Sequence, residues 1–178
     1  GSQRRLTFEQ VFAWRDQLVP MLGIAKGDRV AICMRNRAEW IVAFLAVIKA
    51  GGVAALFNSR GAPGELVGMI EEVTPTLVLA DSQRAKLLRD GGYAGRMLDL
   101  THPFDEAELA RRTEAQADVD GSPAGANDPC TILFTSGTTG KPKGILHTTG
   151  GYLTQTAYTH RNVFDLKPET DVYWCTAD

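Results

Sequence analysis

The chain of 178 residues is 44% hydrophobic and 22% charged, with a formal net charge of −2, a balance suited to a globular fold with one sizeable core. Its 19 Lys and Arg against 21 Asp and Glu form no basic patch, so nucleic acid is not an expected partner. The longest apolar run, residues 40–48, stops at Lys49 and is too short for an integral membrane segment, and no charged-then-apolar leader opens the chain, so no signal peptide is expected.

Gly1-Ser2 reads as a remnant of tag removal. Thr7 with Gln10 three residues later predicts a capping box, followed by a helix whose buried face carries Val11, Phe12, Leu18, Val19 and Leu22, with Gly23 as its stop. Residues 29–34 predict a strand, 37–50 a helix ended by Gly51-Gly52, and 53–57 a short strand. A helix over 64–73, a strand over 76–80, a helix capped by Asp81 or Ser82 and running to about Asp90, and a strand over 96–100 follow. Residues 104–117 read as a polar surface helix. Residues 118–129, rich in Asp, Gly, Ser, Pro and Ala, read as a connecting loop. Then come a strand over 130–134, a Gly-rich loop, a helix over 148–163 and a last strand over 172–176.

Strands alternating with helices predict an α/β fold, a largely parallel sheet with flanking helices. The expected organisation is an N-terminal α/β subdomain over 3–117, the connecting loop 118–129, and, over 130–178, a strand, the Gly-rich loop and the start of a further, incomplete subdomain. Ending directly after a strand, the chain is expected to be a truncated piece. Cys33, Cys130 and Cys175 are scattered and odd in number, which predicts buried thiols in a reducing, cytoplasmic setting and neither a disulfide framework nor a zinc site.

The chemistry-bearing stretch is Thr135-Ser136-Gly137-Thr138-Thr139-Gly140-Lys141-Pro142-Lys143-Gly144. Its glycines permit positive φ and close approach to a ligand. Ser136, Thr138 and Thr139 supply hydroxyl donors, Lys141 and Lys143 supply positive charge, and successive N–H groups can form an anion nest. Such a set suits a polyphosphate. It is not a Walker A loop, because Pro142 stands where that pattern needs its second Gly, and no Ser or Thr follows Lys141. Pro142 also disfavours a helical Lys141, so the loop must hold phosphate without a helix starting at its lysine.

This ordered run resembles the phosphate-loop signature of the adenylate-forming superfamily, which includes acyl-CoA synthetases, aryl and fatty-acid ligases, luciferases and peptide-synthetase adenylation domains. Leu6-Thr7-Phe8, residues 26–32 (KGDRVAI) and residues 48–53 (IKAGGV) are similar to other segments of that superfamily, so the resemblance covers nearly the whole chain. Its first part, notably residues 36–40 (NRAEW), is most similar to fatty-acyl and aryl CoA ligases. The part from Lys143 onward, notably residues 144–152 and 171–178, is most similar to acetyl-CoA synthetases. The changeover falls near the loop, which fits either a natural intermediate branch or two segments joined by design.

The resemblance implies part of the large N-terminal domain of an AMP-forming acyl-CoA synthetase. Such an enzyme activates a carboxylic acid with ATP as acyl-AMP and passes the acyl group to coenzyme A as co-substrate. Thr135, Ser136, Gly137, Thr138, Thr139, Gly140, Lys141, Lys143 and Gly144 would hold the β- and γ-phosphates, with Thr138, Thr139 and Lys143 foremost. The main Mg²⁺ ligand and the late catalytic lysine are expected beyond Asp178, so no catalytic or metal-binding residue is assigned and the chain alone is expected to be inactive. A carrier-protein-loading adenylation domain and a non-catalytic scaffold are the other readings that this resemblance leaves open. His147 follows the loop but reads as structural, His102 and His160 as surface residues, Tyr173 and Trp174 as core, and Arg35 and Arg37 as solvated charges.

Overall fold

The computed structural model describes residues 6–57, 60–100, 124–134, 143–167 and 169–171. The expected helix over 104–117, the final strand over 172–176 and the loop residues 135–142 lie outside the described residues. So do Cys175, His102, Tyr173, Trp174 and Asp178.

Helix α1 (Phe8–Leu22) begins at the predicted capping box: the Thr7 hydroxyl accepts the Gln10 N–H at 3.2 Å, and the Gln10 side-chain oxygen accepts the Thr7 N–H at 2.9 Å. It ends at Gly23, whose φ of +51° is one that L side chains rarely adopt. Its buried stripe is Trp14, Leu18 and Leu22, whereas Phe12 is 44% exposed. Positions 14, 18 and 22 repeat every four residues, and Phe12 falls off that row. Then follow strand β1 (Arg29–Cys33), helix α2 (Ala38–Lys49), strand β2 (Val53–Leu56), helix α3 (Pro63–Glu72), strand β3 (Leu77–Ala80), helix α4 (Ser82–Asp90) and strand β4 (Met97–Asp99). Strands β5 (Pro129–Phe134) and β6 (Gly144–Thr148) and helix α5 (Thr149–Asn162) complete the order among the described residues.

The strands form one six-stranded sheet in the order β4-β3-β1-β2-β5-β6, parallel except for the antiparallel β5–β6 pair. Side chains alternate across it. Val30, Ile32, Ala54, Leu77 and Leu79 pack with Trp14, Leu18, Val42 and Val47 of α1 and α2. Ala31, Cys33, Ala55, Val78 and Ala80 pack with Leu66, Ile70 and Leu88 of α3 and α4. β1 and β3 are therefore covered on both faces, which is why they read as unbroken apolar runs.

From β1 the chain moves one way to β2, then crosses back over β1 to β3. Right-handed crossovers in opposite directions put their helices on opposite faces of the sheet, as found for α2 and α3. The loops leaving the carboxyl ends of β1 and β3 thus diverge, and Asp81 ties them together. Its carboxylate accepts the Arg84 N–H at 3.0 Å, capping α4, and the Arg35 N–H at 3.1 Å.

Candidate phosphate-binding site

Strand β5 delivers the Gly-rich loop, and its neighbours fix where that loop starts. Thr131 is fully buried, and its hydroxyl donates to the Ala54 carbonyl of β2 at 2.9 Å, directly across the parallel register. At the carboxyl end of the same strand pair, the Phe57 and Phe134 rings meet at 4.7 Å, tilted by 33°. Here β5 hands over to residue 135, at the carboxyl edge of the parallel sheet where α/β proteins place their ligands.

The next described strand, β6, runs back alongside β5. Phe134 is paired with Gly144, followed by Leu133 with Ile145, Ile132 with Leu146 and Thr131 with His147. The end of β5 and the start of β6 thus lie side by side in the sheet, with residues 135–143 between them in the sequence. Sequence reasoning missed β6, because Gly144-Ile145-Leu146-His147-Thr148 is short and shows no clean alternation. Gly144 fits closely at this position, and a larger residue would make its neighbours shift. A Cβ on it would stand 3.0 Å from Ile132 Cγ2 and 3.4 Å from Phe134 Cε1.

The next described helix, α5, starts at the other end of this strand pair. Thr148, the N-cap of α5, pairs with Pro129 at the amino end of β5, a full strand away. The first N–H groups of α5 are already engaged: Thr149 N–H donates to the Asp128 carbonyl at 3.0 Å, Gly150 N–H to the Ala126 carbonyl at 2.8 Å, and Gly151 N–H to the Thr148 hydroxyl at 3.2 Å. A helix N-terminus often supplies the positive end in phosphate sites, but α5 cannot supply it here.

Asp128 holds the amino end of this hairpin. Its carboxylate pairs with Lys26 Nζ at 2.7 Å and accepts the Gly125 N–H at 2.6 Å. The Lys26 hydrogen bond, then the Gly125 one, holds the Asp128 carboxyl below its ordinary range. His147 lies half-buried, edge-on to Tyr152 at 6.3 Å, and its register opposite Thr131 keeps it away from the loop end. Arg35 and Arg37 are exposed, and His160 is half-buried beside Phe164.

Of the sequence-predicted site residues, Thr135, Ser136, Gly137, Thr138, Thr139, Gly140 and Lys141 lie outside the described residues. Lys143 is exposed immediately before β6, and Gly144 opens β6 itself. Phe57, Asp81, Asp128 and Thr131 were not singled out as site-building residues. Only Asp81 carried a signal, as a helix cap. Among the described residues, no group of three or more His, Cys, Asp or Glu side chains is placed to hold a metal ion. Nor is any helix there long and apolar enough to cross a membrane.

Residues 1–178, the whole chain, match the family described as AMP-binding enzyme. The chain belongs to this AMP-binding family. Acetyl-coenzyme A synthetase of Streptomyces coelicolor is 39% identical over 214 aligned residues, which take in 100% of this chain and 31% of that protein. The Streptomyces avermitilis acetyl-coenzyme A synthetase is 40% identical over the same shares of each chain. The chain therefore spans about 31% of the length of these curated relatives, and the match takes in both sides of the changeover near the loop.

Among solved structures, O-succinylbenzoate coenzyme A synthetase (MenE) from Bacillus subtilis in complex with AMP superposes with a TM-score of 0.73 at 27% identity, covering 92% of this chain and 41% of that one. The N-terminal domain of FACL13 from Mycobacterium tuberculosis superposes with a TM-score of 0.67 at 30% identity, covering 82% of this chain and 38% of that one. This AMP-binding chain thus shares the α/β fold and largely parallel sheet of adenylate-forming enzymes, as the sequence led us to expect.

Proposed function

We propose that this AMP-binding chain supplies the pyrophosphate-holding part of an ATP-dependent acid–thiol ligase, an acyl-CoA synthetase. The enzyme would activate a carboxylic acid as acyl-AMP and transfer the acyl group to coenzyme A. The observation that carries the reading is the β5–β6 hairpin. It pins both ends of a Gly/Ser/Thr/Lys loop at the carboxyl edge of a parallel sheet. The acetyl-coenzyme A synthetase relatives favour coenzyme A over a carrier protein as the acyl acceptor. Buried, unpaired Cys33 and Cys130 support a reducing compartment such as the cytoplasm.

In this reaction a carboxylate oxygen attacks the α-phosphorus of ATP, the bond to the bridging oxygen breaks, and pyrophosphate leaves with the electron pair. Negative charge grows on the leaving group. N–H groups, the hydroxyls of Ser136, Thr138 and Thr139, and the ammonium groups of Lys141 and Lys143 would stabilise it if held in place beforehand. The thiol of coenzyme A then attacks the acyl carbon and AMP departs. Mg²⁺ would neutralise phosphate charge when bound, but the described residues offer no carboxylate cluster for it, and no step is assigned to it.

Calorimetric titration of the chain with inorganic pyrophosphate and with ATP tests the reading. Saturable binding is expected, weakened about tenfold or more by Lys143→Ala, which removes a charge-assisted contact. Failure of the unaltered chain to bind, or indifference to Lys143→Ala, would sink it. Acid-dependent pyrophosphate exchange, with acetate or a longer fatty acid, is expected to be absent for these 178 residues alone.

A further inference from the structure

We infer that Phe57, which lies outside the Gly-rich motif, is a positioning residue for the phosphate loop. The inference rests on the phosphate-binding reading of that loop. Phe57 follows β2 directly and is 6% exposed, and its N–H donates to the Ile32 carbonyl at 3.2 Å, extending the β1–β2 ladder by one step. It is anchored in the cluster formed by Leu66, Ile70 and Leu88 beneath α3 and α4. Its ring packs on Phe134 at 4.7 Å, the last described residue before the loop.

Phe134 in turn lies under Gly144, whose backbone comes so close that a Cβ would stand 3.4 Å from the Phe134 ring and 3.0 Å from Ile132. One line of packed groups therefore runs from the rigid centre of the sheet through Phe57 and Phe134 to both ends of the loop. Residues 135–143 contain only Thr, Ser, Gly, Lys and Pro, with no large apolar side chain of their own to seat. A nest of donors lowers a barrier only when it is held before charge develops, and residues that lock the supporting shell decide how well it is held. Phe57 acts through Phe134 and touches no reacting atom, so it is not a catalytic residue.

Calorimetric titration with inorganic pyrophosphate tests this in the chain as it stands. Phe57→Leu keeps an apolar side chain but loses the ring contact, and is expected to weaken binding about tenfold, near the upper worth of an aromatic pair. Phe57→Tyr keeps the ring and is expected to stay within about twofold. Leu88→Val, in the same cluster but on α4 and outside the Phe57–Phe134 ring contact, is the control for stability loss alone and is expected to stay within about twofold at equal melting-temperature loss. If Phe57→Leu does not fold, Phe57→Met carries the same comparison. Unchanged binding in the Phe57 variant, or equal weakening in Leu88→Val, overturns the inference and leaves the phosphate reading intact. Absence of binding by the unaltered chain overturns both.

Discussion

Two side chains show how local surroundings set chemistry. Burial pushes the Cys33 thiol up to about 12, with nearby Arg84 opposing the shift only in part. At neutral pH almost no thiolate forms, and the thiolate is the nucleophile. Iodoacetamide is therefore expected to leave Cys33 unlabelled in the native chain and to modify it once denaturant is added, as peptide mass mapping would show. Native labelling of Cys33 would contradict its placement between β1 and the α3/α4 layer. Asp128 is shifted the other way, held down by Lys26 and then by Gly125. A depressed carboxyl contributes stability above its unfolded value, and that contribution is lost as pH falls through the folded one. The tie between the β1 turn and the hairpin should thus hold at neutral pH and fail below the ordinary carboxylate range, roughly pH 4. Asp128→Asn should flatten the acid limb of a melting-temperature profile. An unchanged limb would mean that Asp128 does not hold the hairpin.

At the level of elements, the legible parts were those whose local chemistry is strong. The Thr7 capping box and the Gly23 stop stand where the sequence puts them, and of the two candidate caps for α4, Asp81 and Ser82, it is Asp81 that caps it. The strands through Val30, Ile32, Val78 and Leu79 were visible as apolar runs because both faces are covered. The loop stood out through its composition and order. What was not legible depended on partners distant in the chain. The order of strands in the sheet is set by crossovers, not by any one segment. β6 owes its existence to pairing with β5 rather than to its own propensity, and Phe12 looked like core until α2 fixed which row of α1 faces inward. The Thr131 hydroxyl was equally invisible, since its acceptor, the Ala54 carbonyl, lies 77 residues earlier on β2. That bond predicts a specific cost. Thr131→Val keeps shape and apolar burial but removes the donor, and should destabilise the chain by about 1 kcal/mol. Chemical denaturation would show a shifted midpoint with an unchanged slope. A neutral substitution would mean that the strand ladder alone fixes β5 against β2.

Across the whole molecule, burial is unevenly shared, and stability should follow it. Val30, Ala31, Ile32 and Cys33 of β1 and Val78, Leu79 and Ala80 of β3 are all 0% exposed, so their amides can open only when helices on both faces leave. Helix α5 buries no residue, with Leu153 60% and Tyr158 63% exposed, and β6 leaves Ile145 50% and Leu146 57% exposed. Beside β6, on the α3 side, runs an open trough of about 500 Å³ floored by Ile132, Phe134, Gly144 and Leu146. Local opening costs least where few apolar contacts are broken. Hydrogen exchange under native conditions should therefore separate two tiers: β1 and β3 exchanging with global unfolding, and α5 exchanging at least about a hundredfold faster by opening on its own. The hairpin should fall between them, because Thr131 and the Phe57–Phe134 contact bind β5 to the inner strands, while among the described residues β6 pairs with no strand but β5. Added pyrophosphate should slow exchange at Phe134 and Gly144 and leave α5 unchanged, since ligand binding stabilises the segments whose opening destroys the site. Uniform protection across α5 and β1, or a ligand effect confined to α5, would show that the loop is not coupled to the sheet through the hairpin.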